Sequence, residues 1–268
     1  MAIACSTSVF AGSSLEEALR GIAGLGFRQF DLLAIDGWIH VHTSELAERP
    51  DEVYARLDAL LAETGLQPLA ANTGVGPQLH HRDSATNERR AREIAALVRF
   101  LQRYGISIAA IQPRQGDPDR PWEAVLADCV TTLREQFAAG DAAGIDFLLE
   151  LHVRSPFETL EQARRLVEAM PEVRFVYDPT HYACQGIDLR ETEWLMERTG
   201  HIHLRDAAPG QLQAPFGAGA VDFDWVLGTL SDRGYAGHFS LEYFPSTDFD
   251  VADSVHRLRD KIVEHFPA

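Results

Sequence analysis

The chain has 268 residues, of which 46% are hydrophobic and 24% charged, and its formal net charge is −16. This balance predicts a soluble globular protein with a large apolar core and argues against intrinsic disorder. The acidic charge disfavours nucleic-acid binding and membrane-surface binding, because both depend on Lys and Arg meeting negative groups.

Two scarce residue types narrow the function further. Of the 24 Lys and Arg residues only Lys261, in the last predicted helix, is a lysine. A Schiff-base aldolase or a pyridoxal-phosphate enzyme needs a lysine at its reaction centre, so both classes are disfavoured. The three cysteines share no CxxC spacing and the N-terminus has no secretory signal, which indicates a reduced, cytoplasmic protein.

Short β-rich runs alternate with amphipathic helices along the whole chain. Strands are predicted at 3–9, 28–34, 67–73, 107–112, 146–151, 173–178, 201–205 and 238–243. Strands alternating with helices at this interval indicate parallel βα units. Eight units predict an α/β fold with one domain, a single (β/α)8 TIM barrel over residues 1–268. The rival, an open doubly wound sheet, lacks the GxGxxG that usually follows its first strand.

The longest irregular stretches follow the second, third and seventh predicted strands, at 36–48, 74–85 and 207–221. Loops that follow strands lie at the C-terminal face of a barrel, where barrel enzymes keep their active sites. We therefore expect the functional site at that face.

Each of the last four predicted strands ends in a side chain that can bind a metal. These side chains are Glu150, Asp178, His203 and Glu242. An apolar strand rarely carries a carboxylate unless the carboxylate is paired or metal-bound. Each residue alone has an ordinary structural explanation, as a turn residue, a partner of a nearby arginine or a core histidine. Their occurrence on four successive strands favours a shared metal site above the barrel.

These residues lie in motifs that resemble the xylose isomerase-like TIM-barrel superfamily of sugar phosphate isomerases and epimerases. The motifs are Glu150 on strand five, D-x-x-H at Asp178 and His181, H-x-H-x-x-[DE] at His201, His203 and Asp206, the turn GAGAVDF, and Glu242 on strand eight. The resemblance runs through the whole chain and is strongest from 146 to 244. It implies one divalent ion held by the four strand-end residues, and a substrate-binding role for His181.

The chain also departs from some branches of that superfamily. In endonuclease IV, histidines end strands three and four and hold further zinc ions, whereas this chain has Asn72 and Gln112 there. The resemblance therefore implies a single ion and, with the acidic charge, no DNA-repair nuclease. Classical xylose isomerase uses a lysine beside the metal, which this chain lacks. C3 epimerases carry an arginine near the position of Pro209, so free-ketohexose epimerisation is less favoured.

Three carboxylates and one imidazole form an oxygen-rich set that favours Mn²⁺, with Mg²⁺, Co²⁺ or Zn²⁺ as alternatives. The expected reaction is isomerisation or epimerisation of a small sugar, sugar phosphate or polyol. It would proceed by proton transfer through a metal-stabilised enediolate, with Glu150 and Glu242 as the catalytic acid and base.

A metal-dependent dehydratase of a keto-polyol or dehydroshikimate-like substrate shares the same ligands and remains an open alternative. The segment Glu150-Leu151-His152 resembles the E-x-H of 3-dehydroshikimate dehydratases. A metal-dependent hydrolase is less favoured than either reaction.

Several further residues near the expected site are candidates for binding a small carbohydrate substrate. They are His152, His181, Arg205, Arg114 and Trp38. An arginine can grip a carboxylate or a phosphate, and Trp38, in the loop after strand two, can cover an apolar sugar face. The resemblance permits a homo-oligomer, and the sequence carries no specific interface signal.

Overall fold

The computed structural model describes residues 1–267. Its strands are β1 (Ile3–Ser6), β2 (Gln29–Ile35), β3 (Gln67–Gly74), β4 (Ile108–Ile111), β5 (Asp146–Glu150), β6 (Phe175–Tyr177), β7 (Thr199–Leu204), β8 (Asp206–Ala208), β9 (Gln211–Ala214) and β10 (His238–Leu241). Eight of them form a closed barrel in the order β1-β10-β7-β6-β5-β4-β3-β2, and β8 and β9 pair as a separate antiparallel hairpin. The predicted (β/α)8 barrel is therefore confirmed.

Helices connect the strands and surround the barrel. They are α1 (Leu15–Gly24), α2 (Thr43–Glu48), α3 (Pro50–Thr64), α4 (Ser84–Arg103), α5 (Trp122–Ala143), α6 (Leu160–Ala169), α7 (Thr180–Ala183), α8 (Phe223–Asp232) and α9 (Val251–His265). Two 3-10 helices cover Thr7–Phe10 and Leu189–Arg198. Within residues 1–267, no helix combines the length and the hydropathy that crossing a membrane requires.

Helix α1 shows how local sequence sets these elements. Ser14 and Glu17 form a reciprocal capping box at its start, which satisfies backbone donors that the helix leaves free. Leu15, Leu19 and Ile22 follow the 3.6-residue period and are buried against the barrel. Burial of each such side chain contributes about 1.5–3 kcal/mol, so this face fixes the helix on the outside of the sheet.

The main differences from the predicted elements lie at strand ends and in two loops. The first strand ends at Ser6 because the Ser6 hydroxyl accepts a hydrogen bond from Ser8 N and caps the following 3-10 helix. The predicted irregular stretch 207–221 contains most of the β8–β9 hairpin, and the stretch 36–48 contains α2. Both pieces are short, and the sequence pattern there has no clear strand or helix period.

The inner face of the barrel changes from apolar to polar toward the C-terminal end of the strands. A small apolar cluster of Ala70, Ile108, Ala110, Leu148 and Val176 is separate from the larger core between strands and helices. Residues two positions further along the chain face the same side of a strand. For four members of the cluster, those residues are Asn72, Gln112, Glu150 and Asp178. A polar layer therefore lies above an apolar floor, at the face where the site is expected.

Candidate functional site

His203, on β7, is the side chain around which the polar layer is arranged. Its Nδ1 lies 2.9 Å from Glu150 Oε1 and 3.6 Å from Glu242 Oε2. Strand β10 is the neighbour of β7 on one side, and β5 lies beyond β6 on the other side. The two carboxylates therefore approach the same nitrogen from opposite directions around the barrel. All three side chains are almost fully buried.

The predicted metal ligands form two overlapping groups. Glu150, His203 and Glu242 bring one donor atom each within 4.8 Å of one another, and so do Glu150, Asp178 and His181. Glu150 belongs to both groups and joins them. The four predicted ligands therefore lie in two groups that share Glu150, with Asp178 in one group and His203 and Glu242 in the other.

Arg205 lies between two of these carboxylates. Its Nη1 is 2.7 Å from Glu242 Oε2 and 3.3 Å from Asp178 Oδ2, and its side chain is 3% exposed. Its Nε donates to the carbonyl of Leu212 at 3.0 Å. The side chain, expected from the sequence to bind substrate, therefore also links the ends of β6 and β10 to the β8–β9 hairpin.

Two amide side chains donate hydrogen bonds to the Glu242 and Glu150 carboxylates. Asn72 Nδ2 donates to Glu242 Oε1 at 2.8 Å, and Gln112 Nε2 donates to Glu150 Oε2. In the sequence, these two positions are notable only because endonuclease IV has zinc-binding histidines at the ends of the same strands. In the structure, each amide hydrogen-bonds one carboxylate of the cluster without adding charge.

Asp31, on β2, is a residue of this site that the sequence analysis missed. Its Oδ2 lies 3.2 Å from His203 Nε2 and 3.5 Å from His201 Nε2, and the residue is 1% exposed. A signal was present, because Asp31 interrupts the apolar run FDLLAI. A carboxylate in an apolar strand needs a partner, and that argument holds for Asp31 as it does for Glu150.

The charges of the cluster shift its pKa values in opposite directions. Burial and the Glu242 carboxylate raise the pKa of Glu150. Burial also acts to raise the pKa of Glu242, but His203 and Arg205 outweigh it and lower the pKa to about 2. Burial acts to lower the pKa of His203, but Glu242 and Glu150 outweigh it and hold that pKa well above the ordinary value. The site is a buried concentration of negative charge that favours nearby cations.

The residues present fit a divalent cation. Glu150, Asp178 and Glu242 offer carboxylate oxygens and His203 offers a ring nitrogen, a donor set typical of hard and borderline ions. Asp178 Oδ2 is buried and accepts no hydrogen bond from residues 1–267. Arg205 Nη1 lies 3.3 Å from this oxygen without forming a hydrogen bond, which leaves the oxygen able to bind a further cation.

The two histidines expected to contact substrate lie beside the carboxylates and against each other. The ring centroids of His152 and His181 are 3.9 Å apart. His181 is 1% exposed, its Nε2 is 3.5 Å from Asp178 Oδ2, and neither ring nitrogen has a hydrogen-bond partner in residues 1–267. Burial, together with the nearby His152 and Arg205, lowers the pKa of His181 well below its ordinary value. His181 is therefore a buried imidazole whose two ring nitrogens are free to hydrogen-bond next to the cluster.

Trp38, another expected substrate contact, is at the mouth of the barrel. It is 46% exposed and stacks on Phe244 with ring centroids 5.8 Å apart. The guanidinium carbon of Arg205 lies 5.5 Å from the centre of the Phe244 ring. An aromatic wall therefore begins next to Arg205 and the carboxylate cluster and ends in solvent.

Arg114 has a different place from the other candidates. Its Nη2 donates to the carbonyl of Asp36, in the loop after β2, at 3.0 Å, and to the carbonyl of Gly74, the last residue of β3, at 3.3 Å. Among residues 1–267, its hydrogen bonds go to this rim and none goes to the carboxylate cluster. Its contacts connect the loops at this side of the barrel mouth.

Asp206, the last residue of the H-x-H-x-x-D motif, organises the loop after β7. Its carboxylate accepts hydrogen bonds from four backbone amides. They belong to Ala207, Gly217, Gly219 and Val221, at 2.9, 2.8, 3.1 and 3.3 Å. The GAGAVDF turn thus wraps around one buried carboxylate, directly beyond the part of β7 that carries His203.

This close packing makes Gly219 sensitive to substitution. A Cβ at Gly219 would lie 2.1 Å from Asp206 Oδ1 and 2.4 Å from the carbonyl oxygen of Ala207. We expect Gly219→Ala to lower the free energy of unfolding by about 1–3 kcal/mol, as overpacking does. The matched control is Gly228→Ala in α8, where a Cβ meets open space and a helical alanine stabilises by about 0.5–1 kcal/mol. Urea unfolding of both variants measures the difference, and equal effects would contradict a rigid turn.

The chain is similar in sequence to a known protein family and to curated sugar epimerases. A family model described as xylose isomerase-like TIM barrel matches residues 19–261. L-ribulose-5-phosphate 3-epimerase UlaE from Escherichia coli (strain K12 / DH10B) is 40% identical over 65 residues, which are 23% of this chain and 23% of UlaE. The match thus spans less than a quarter of the length of this curated relative.

Solved structures resemble the chain over nearly its full length. The 3-keto-D-glucoside 4-epimerase YcjR from E. coli has a TM-score of 0.73 at 20% identity, covering 97% of this chain and 99% of YcjR. A xylose isomerase-like TIM-barrel protein from Mycobacterium smegmatis in complex with magnesium has a TM-score of 0.76 at 18% identity, covering 98% and 96%. At this level of identity, the likeness shows that the barrel fold is shared.

Proposed function

The chain belongs to the xylose isomerase-like TIM-barrel family, and we propose that it is a divalent-metal-dependent isomerase or epimerase of a small sugar, sugar phosphate or polyol. The observation that carries this proposal is the pair of carboxylates, Glu150 and Glu242, that approach His203 Nδ1 from opposite directions. Two carboxylates on either side of one position can remove a proton from a bound substrate and return one elsewhere. The epimerase activities in the names of UlaE and YcjR support the same reaction class.

We propose Glu150, Asp178, His203 and Glu242 as the ligands of the ion. A bound divalent ion supplies a Lewis acid that polarises a substrate carbonyl and stabilises negative charge on its oxygen by several kcal/mol. The oxygen-rich donor set favours Mn²⁺ or Mg²⁺, and the magnesium complex of the M. smegmatis relative supports a hard ion.

The remaining side chains have proposed roles that follow from their contacts. Asn72 and Gln112 keep the carboxyl groups of Glu242 and Glu150 in fixed directions through their hydrogen bonds. His181, whose ring nitrogens are free, can hydrogen-bond a substrate hydroxyl next to the carboxylates. Trp38 and Phe244 provide an apolar wall on which the face of a carbohydrate can stack.

A dehydratase is the second candidate, and the stacked pair His152 and His181 favours it. A substrate with a hydroxyl group β to its carbonyl can lose that hydroxyl as water once the α-proton is removed. An imidazole beside the carboxylates can hydrogen-bond the leaving hydroxyl oxygen and donate the proton that converts it to water. Both candidates use the same base and the same ligands, so the substrate decides between them.

Incubation with candidate ketoses in D₂O tests the proposal. With Mn²⁺ present, we expect deuterium at the carbon next to the carbonyl in the recovered sugar, together with an isomer or epimer detected by NMR. Treatment with EDTA should stop the exchange, and Mn²⁺ should restore it. Formation of an ultraviolet-absorbing enone would favour the dehydratase, and a protein that neither binds a divalent ion nor exchanges any substrate proton would contradict both candidates.

A further inference from the structure

Asp31 faces His203 on the side away from the proposed catalytic carboxylates. The Nδ1 atom of His203 is 2.9 Å from Glu150 Oε1, whereas its Nε2 is 3.2 Å from Asp31 Oδ2. The two nitrogens of an imidazole have different lone-pair directions, and a neutral ring carries a proton on only one of them. The contacts of Asp31 therefore bear on which nitrogen is free to bind a cation.

We propose that Asp31 is a positioning residue that fixes the tautomer and the orientation of His203. His203 Nε2 faces the Asp31 carboxylate at 3.2 Å, and in the metal-bound protein its N–H group would donate to that carboxylate. Nδ1 would then be left as the ligand atom that points toward Glu150 and Glu242. A metal-binding histidine usually donates its second ring N–H to a carboxylate or carbonyl, which orients the ring and raises its basicity. The inference rests on the proposed metal site, because it assigns a role toward the same ion.

The surroundings of Asp31 indicate a function beyond stability. The carboxylate is buried, and the imidazoles of His203 and His201 lie 3.2 and 3.5 Å from its Oδ2. Neither of its oxygens has a regular hydrogen bond to residues 1–267. A buried carboxylate with so few partners costs folding free energy compared with an apolar side chain. Its presence is accounted for if it supports a functional imidazole.

His201 gives the arrangement a second support. Its Nε2 is 2.9 Å from Ser240 Oγ and 3.5 Å from Asp31 Oδ2, and its ring is nearly perpendicular to that of His203, at 88°. The Asp31 carboxylate is thus enclosed by two imidazoles that stand at right angles. This packing leaves the carboxylate little freedom to turn away from His203.

A direct ligand role for Asp31 is the competing interpretation. Asp31, His201 and His203 also bring one donor atom each within 4.8 Å of one another. An ion bound there would take the Nε2 face of His203 and would be separate from the ion at the Nδ1 face. The two interpretations therefore predict different numbers of bound ions per chain.

The test measures Mn²⁺ affinity and stoichiometry by isothermal titration calorimetry in the wild-type protein and in Asp31→Asn. We expect one ion per chain in both proteins, with affinity about 10–100-fold weaker in Asp31→Asn. The visible absorption spectrum of bound Co²⁺ should change as well, since the ligand orientation changes. The control is Glu93→Gln, which neutralises a buried carboxylate that contacts Arg89, Thr43 and Gly76 N, outside the site. Its Mn²⁺ affinity should stay close to that of the wild type.

The outcomes separate the inference from the proposed function. A wild-type protein that binds no divalent ion would contradict the proposed function, and the inference would fall with it. A wild-type protein that binds one ion with the same affinity as Asp31→Asn would overturn the inference alone. Two ions in the wild type and one in Asp31→Asn would make Asp31 a ligand. If Asp31→Asn does not fold, ¹⁵N NMR of the Zn²⁺-loaded wild type decides, because a proton on Nδ1 of His203 would overturn the proposal.

Discussion

Replacement of Glu150 by glutamine is expected to reduce both turnover and substrate deuterium exchange by at least about 10³-fold. Glu150 belongs to both groups of metal-ligating side chains, and its Oε1 is 2.9 Å from His203 Nδ1. The substitution preserves shape but removes the negative charge. It therefore removes a proposed base and, at the same time, a proposed ligand of the ion. Steady-state kinetics at saturating Mn²⁺, together with metal content, measure the two losses separately.

The matched control for this prediction is Glu168→Gln in α6. The Glu168 side chain is 71% exposed and its near charged partner is Arg165, one helical turn away. We expect no change in turnover or metal content, because a surface pair of this kind contributes little. Full turnover by Glu150→Gln would show that the role assigned to Glu150 is wrong.

Much of this site could be predicted from the sequence, because a strand has a two-residue period and parallel strands end at the same edge. Glu150, Asp178, His203 and Glu242 each lie near the C-terminal end of an apolar strand or directly after it. The order of the strands in the barrel is therefore enough to predict that they converge. The structure places Glu150 in one group with His203 and Glu242 and in another with Asp178, and their role as ligands of one ion stays a prediction. The eight barrel strands could be predicted for the same reason, since each carries its own local pattern.

Features that depend on contacts between distant parts of the chain could not be predicted in this way. Asp31 precedes His203 by a long stretch of sequence, and only barrel closure brings their side chains to 3.2 Å. Arg114 follows β4 by three residues, and its guanidinium turns to the carbonyls of Asp36 and Gly74 at the rim. Side-chain direction beyond the last strand residue is set by the loops, and the loops carry no regular period.

Arg205→Met is expected to lower the free energy of unfolding of the metal-free protein by about 3–5 kcal/mol, because it breaks a buried charge pair. The guanidinium Nη1 lies 2.7 Å from Glu242 Oε2 and 3.3 Å from Asp178 Oδ2. Methionine fills similar space, but it leaves two buried carboxylates without their cation. If these same carboxylates hold the proposed ion, Mn²⁺ should recover a large part of the loss. Urea unfolding in EDTA and in saturating Mn²⁺ measures both quantities.

The control, Arg233→Met, removes an exposed arginine that pairs with Glu193 and Glu197. Pairs at the surface contribute about 0–1 kcal/mol, so this variant should lose little stability, and the loss should be the same with and without Mn²⁺. Arg205→Met should instead respond to the ion, because Mn²⁺ should stabilise this variant more than it stabilises the wild type. A loss of stability in Arg205→Met that Mn²⁺ does not change would mean that the guanidinium and the ion share no carboxylate. In that case Asp178 and Glu242 would serve the fold, and the proposed ligand set would have to be given up.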